Sequence, residues 1–125
     1  MGSAKLFEGE ELALAAAGYA DEKQAEDIVI LDLRGISSIA DFFVICTGTS
    51  TPHLKAVSRE VSEKLHEEHD LRPRAKDGNP ESQWLILDYV DVIVHIFHEE
   101  NRANYSLEDL WSDAERVAFE PATAG

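Results

Sequence analysis

Two rhythms of apolar and polar residues run along this chain. From Glu10 to about Lys23, Leu12, Ala13, Ala16, Ala17 and Ala20 recur at helical spacing among strong helix formers, which predicts an N-terminal helix. Asp27 to Leu33 is β-branched and apolar and stops at Arg34-Gly35, so it reads as a strand. Ser37 to Ala40 is a short connector. Phe42 to Thr47 is a continuous apolar run of strand length, the pattern of a strand buried on both faces at the centre of a sheet.

Gly48-Thr49-Ser50-Thr51-Pro52 then opens a helix, with Thr51 expected as its N-cap and Pro52 at the first helical position. Leu54, Val57, Val61 and Leu65 form its apolar stripe, and it is expected to end near His69. Leu71 to Arg74 reads as a short edge strand, where Pro73 is tolerated, and Lys76 to Pro80 as a turn-rich loop.

From Trp84 to Phe97, two apolar, β-branched runs flank a polar break at Asp88 to Asp91, which predicts a hairpin. Alternation puts Trp84, Ile86 and Asp88 on one face and Leu85 and Leu87 on the other. His98 to Tyr105 is polar, a loop or one helical turn. A last helix is expected with Ser106 as its cap and Leu107, Leu110, Trp111 and Ala114 as its apolar face. Residues 1 to 118 read as one domain and 119 to 125 as a flexible tail. The order of elements indicates a mixed α/β sandwich with helices packed on a sheet.

Charge sharpens the picture. Twenty-five acidic against eleven basic residues give a net charge of −14 over 125 residues. Such a surface repels phosphate backbones at long range, so direct nucleic-acid recognition is not expected, whereas a basic protein partner is favoured. The excess is uneven: residues 77 to 125 carry a net of −9 and residues 1 to 76 a net of −5. No apolar run approaches the roughly 20 residues that span a bilayer, and no secretory segment opens the chain. The single Cys46, in an apolar run, fits a reducing, cytoplasmic setting and no disulfide.

The candidate chemistry is sparse. Among His53, His66, His69, His95 and His98 no pair has a zinc-site context, so no metal or cofactor is expected. A Cys46–His95 nucleophile and base is disfavoured, because a thiol in an apolar strand has a raised pKa. For His95 the structural reading prevails, a ring hydrogen-bonded inside the core. Trp84, Asp88 and Tyr89 suggest instead an interface in which aromatic anchors are ringed by polar groups. Tyr105 and Trp111 have both readings, packing or contact.

Three segments together resemble the ribosome silencing factors, also called the Iojap-like family. They are Asp41-Phe42-Phe43-Val44-Ile45-Cys46-Thr47-Gly48-Thr49-Ser50, the Trp84 to Phe97 stretch, and Arg102, Tyr105, Leu107, Glu108, Leu110, Trp111 and Ala114. The likeness covers roughly residues 12 to 117. It implies a mixed sheet of about five strands with a core like that of nucleotidyltransferases, and a protein that is not an enzyme. Members of this family bind protein fourteen of the large ribosomal subunit at the intersubunit face, block joining of the small subunit, and so lower translation when nutrients are scarce; homodimers also occur. Carried over by position, the implied contact residues are Trp84, Leu85, Asp88, Tyr89, Arg102, Tyr105, Glu108 and Trp111. Val90 stands where the family usually has Gly, and a β-branched residue resists positive φ, so this turn is expected to differ or to bear strain.

The nucleotidyltransferase likeness raises the rival reading, a nucleotide-binding phosphotransfer enzyme. The Gly48 to Ser50 turn at a helix start would meet the phosphates. Two metal-binding carboxylates would have to lie two apart on one strand, and Asp88 and Asp91 are three apart across a turn, which weighs against it.

Overall fold

The computed structural model describes residues 9–79, 83–105 and 111–121. Helix α1 spans Glu10–Glu22 and buries Leu12, Ala13, Ala16, Ala17 and Ala20, the stripe its spacing predicts. Strand β1, Glu26–Asp32, closes on an ion pair in which the Arg34 Nε and Nη2 groups donate to the two Asp32 carboxylate oxygens at 3.0 and 2.7 Å. Strand β2, Phe42–Gly48, is buried at every position.

Helix α2, Thr51–His69, buries Leu54, Val57, Val61 and Leu65. Its cap is Ser50 rather than the expected Thr51. The Ser50 hydroxyl accepts the His53 N–H at 3.2 Å, and this moves Thr51 and Pro52 into the first two helical positions. Asp70 ends the helix in the left-handed conformation at φ +56°.

Strand β3 runs Ala75–Asn79, not Leu71–Arg74 as expected. Pro73 has no N–H to give; pairing begins where the Arg74 N–H donates to the Asp88 carbonyl at 2.6 Å. The Asp77-Gly78-Asn79 sequence that looks like a turn lies within this strand. Gly78, at φ +74°, lets the backbone approach so closely that a Cβ would sit 2.0 Å from the Trp84 carbonyl oxygen. Strands β4, Trp84–Asp88, and β5, Val92–His98, form the expected hairpin. Helix α3, Glu99–Tyr105, is longer than the single turn expected. Of the last expected helix, Ser106 to Leu110 lie outside the described residues. Trp111 to Asp113 form a turn, not helix, and a three-residue strand β6, Glu115–Val117, pairs with β1.

Among the described residues the sheet therefore has six strands rather than about five, in the order β3-β4-β5-β2-β1-β6. Every neighbouring pair is antiparallel except β2 and β5 at the centre. Helices α1 and α2 cover one face, over a core that includes Val44, Cys46, Leu85, Leu87, Val94 and Ile96. The other face carries Leu31, Leu33, Phe43, Ile45, Ile93 and Phe97, with Trp84, Ile86, Trp111 and Ala114 packed on it. Burial of β2 on both faces follows from this two-sided arrangement.

Candidate aromatic docking face

The hairpin register sets Trp84 opposite Phe97 and Ile86 opposite His95. Alternation then turns Trp84 and Ile86 to the face away from α1 and α2, while Leu85 and Leu87 enter the helix-side core. On that second face Trp84 stacks on Phe97, with ring centroids 4.9 Å apart. Its indole N–H donates to His95 Nδ1 at 3.2 Å. Phe43 meets His95 edge to face at 4.5 Å and Trp111 at 6.2 Å, so both tryptophans belong to one aromatic cluster across β4, β5 and β2.

Because Nδ1 of His95 accepts, its ring proton resides on Nε2. That atom is buried and has no hydrogen-bond partner among the described residues. Burial pushes the His95 pKa down to about 4, so the ring is neutral near pH 7. His95 is thus held inside, as its sequence context suggests. Cys46 and His95 are on opposite faces of the sheet, and burial raises the thiol to about 12, so they form no nucleophile and base.

Polar groups stand at both ends of the cluster. At one end the Arg102 guanidinium on α3 donates to the Thr47 hydroxyl at 2.6 Å, and Thr47 pairs with Phe97. At the other end, four residues or roughly 13 Å along β4, is Asp88. Its carboxylate accepts from Arg74 at 2.7 Å and from the Val90 N–H at 2.8 Å. Partial burial works to raise the Asp88 pKa, but the Arg74 guanidinium and the Val90 N–H outweigh it and hold the carboxyl below the usual range.

The eight contact residues implied by the family resemblance divide accordingly. Trp84 and Trp111 share the cluster, and Asp88 and Arg102 stand at its ends. Leu85 and Tyr89 lie in the helix-side core instead; Tyr89 is only 6% exposed, and burial pushes its hydroxyl up to about 12. Tyr105 closes α3, and Glu108 lies outside the described residues. Phe43, Ile86 and Arg74 are participants that sequence reasoning missed. Phe42 and Phe43 look alike in the sequence, and only the sheet decides which faces the tryptophans.

The hairpin turn confirms the expectation of strain. Val90 holds φ at +79°, and the Asp91 N–H donates back to the Tyr89 carbonyl at 3.1 Å, a three-residue turn of the uncommon hand.

The Gly48 to Ser50 turn is occupied by its own chain. Thr49 N–H donates to His53 Nδ1 at 2.9 Å, which leaves Nε2 to donate to the Lys23 carbonyl at 2.7 Å. A Cβ on Gly48 would lie 2.7 Å from Leu54 Cδ2, so the glycine serves close approach of α2 to β2. Asp91 accepts the Gly9 N–H at 2.8 Å and takes no common partner with Asp88. This arrangement packs α2 on β2 and caps the helix.

Comparison with known proteins gives these features a family. Residues 7–124 match the family model described as "Ribosomal silencing factor during starvation". The "Ribosomal silencing factor RsfS" of Bacillus subtilis is 42% identical over 99 residues, which cover 79% of this chain and 83% of that protein. A crystal structure from Bacillus halodurans superposes with a TM-score of 0.75 at 36% identity, covering 89% of this chain and all of the other. A more distant relative, "Mitochondrial assembly of ribosomal large subunit protein 1" of mouse, is 32% identical over 94 residues, 73% of this chain and 41% of its own length. The chain belongs to the ribosomal silencing factor family, regulatory proteins associated with the ribosome that silence translation.

Proposed function

We propose that this protein docks on the large ribosomal subunit through the face on which the partly exposed Trp84 and Trp111 stand over buried Phe43, His95 and Phe97, and that it is not an enzyme. The partner is the basic protein fourteen at the intersubunit face, and occupancy there blocks the small subunit and represses translation when nutrients are limiting. The observation that carries this reading is the pair of tryptophans joined through Phe43 and His95, framed by Asp88 and Arg102. Large aromatics ringed by charged groups are the residues on which protein contacts concentrate their energy. A net charge of −14 steers such a face toward a basic partner. The mouse relative's name, which places it in large-subunit assembly, points to the same subunit.

In this reading Trp84, Trp111, Asp88 and Arg102 make direct contacts, and Tyr105 and Glu108 are further contacts implied by the family resemblance. Leu85 and Tyr89 act from beneath, by fixing the strand and turn that present Trp84 and Asp88. The working state is cytoplasmic, with residues 1 to 118 as the folded unit and self-association into a homodimer as an alternative to docking; Phe119, expected in a tail, instead packs on the helix-side core.

Co-sedimentation with purified large subunits tests this. The chain is expected in the large-subunit peak at low salt. Trp84→Ala should weaken association at least thirtyfold, the loss of about 2 kcal/mol typical of an interface anchor. Asp88→Lys should act in the same direction, with circular dichroism confirming that both variants fold. Absence of the unmodified chain from that peak at low salt would overturn the proposal.

A further inference from the structure

We infer a second binding surface, a groove between α2 and edge strand β3 that takes the phosphate backbone of single-stranded RNA. It is a cavity of about 390 Å³, with Ser62, Glu63 and His66 on the helix wall and Arg72, Arg74 and Lys76 on the other.

Three of the eleven basic residues in a chain of net charge −14 fall within these five positions. Arg72 and Arg74 line the groove just before β3, and Lys76 lies on β3. The register confirms the helix side for Lys76, which pairs with Leu87, a member of the helix-side core. Three cations lining one groove match a run of successive phosphates better than a single small anion.

Arg74 is held in place by Asp88 at 2.7 Å. Arg72 and Lys76 are exposed and have no ion-pair or hydrogen-bond partner among the described residues. A solvated cation without a partner costs little to redirect, so both are available to a ligand. Among the described residues Glu63 is the one carboxylate lining the groove, against the three cations. The groove runs beside the end strand of the sheet, where among the described residues no further strand blocks an extended polymer.

Overall acidity argues against RNA at long range, and this is where distance decides. At physiological ionic strength fields decay over about 8 Å, so remote carboxylates are screened while cations in contact with a phosphate are not. Binding here is therefore short-ranged and sensitive to salt. Arg74 also pairs with Asp88 at the end of the aromatic face, whereas Arg72 and Lys76 line the groove alone, so binding here is read without docking through that face.

Fluorescence anisotropy with a labelled twelve-nucleotide uridine RNA and the full chain tests the assignment without ribosomes. Saturable binding is expected at 50 mM salt, with a log–log salt slope near −2, about −0.7 for each of three phosphates. Arg72→Glu with Lys76→Glu, both at exposed positions, should weaken it at least tenfold, whereas Trp84→Ala should leave it unchanged. No anisotropy change at 50 mM salt would overturn the inference, as would unaltered affinity in the double variant. So would competition by polyglutamate or inorganic phosphate as strong as that by unlabelled RNA, which would make the groove a site for acidic peptides or small anions. Failure of large-subunit docking would leave this readout untouched.

Discussion

Val90 sits at φ +79°, where a β-branched side chain crowds its own backbone. Its side chain is 54% exposed, so little packing offsets that strain. Val90→Gly is therefore expected to stabilise the protein by about 1 kcal/mol, since relief of 1 to 3 kcal/mol of strain exceeds the 0.5 to 1 kcal/mol entropic penalty of glycine. Urea denaturation reads this directly, and a lower midpoint for the variant would contradict it. This strain was legible in the sequence because only one residue type was out of place. The sequence reading places Tyr89 with Trp84 and Asp88 at the interface, and the structure buries it on the helix side. The alternation that separates Trp84 from Leu85 reaches Tyr89 two steps after Leu87 and puts it on the helix side, despite its position in a polar turn. Arg74 was not legible, because its ion pair with Asp88 depends on which strand lies next to β4.

Long apolar or periodic segments announce themselves, and short pairing segments do not. Helices α1 and α2 and strands β1, β2, β4 and β5 appear close to where their patterns place them. Strand β3 was displaced because Gly78 reads as a turn residue when its actual role is close backbone approach. Strand β6 has three residues and exists only because β1 offers it an edge. The β2–α2 junction shows how tightly elements constrain one another. Gly48→Ala would press a methyl against Leu54, which is fully buried, and toward His53, which is tied to Thr49 and Lys23. A loss of about 1 to 3 kcal/mol is expected, the usual penalty for overpacking. Unfolding within error of the parent would show that the junction can relax.

At the scale of the molecule, acidity and one buried imidazole pull stability in opposite directions as pH falls. Protonating carboxylates relieves repulsion within a chain of charge −14. His95 does the reverse: its folded pKa of about 4 lies below its unfolded value of 6.5. The unfolded chain therefore binds a proton first, and stability is lost from about pH 6.5 down to about pH 4, by up to about 3 kcal/mol. In His95→Gln, whose amide oxygen still accepts from Trp84, this component should vanish. Comparing stability at pH 7 and pH 5 in both proteins checks it; equal losses would rule out His95 as the source. Net charge was legible from composition, but its local reversal in the groove at Arg72 to Lys76 needed the fold.

The central pairing of β2 with β5 joins residues 42–48 to residues 92–98. During synthesis the most apolar strand of the chain thus emerges about fifty residues before its parallel neighbour exists. Non-local pairing of this kind forms late, after nearer contacts such as the β4–β5 hairpin. Until then β2 can pair only with β1, and its other edge is open to other chains. A protein that acts on ribosomes consequently has its own most hazardous moment while still attached to one.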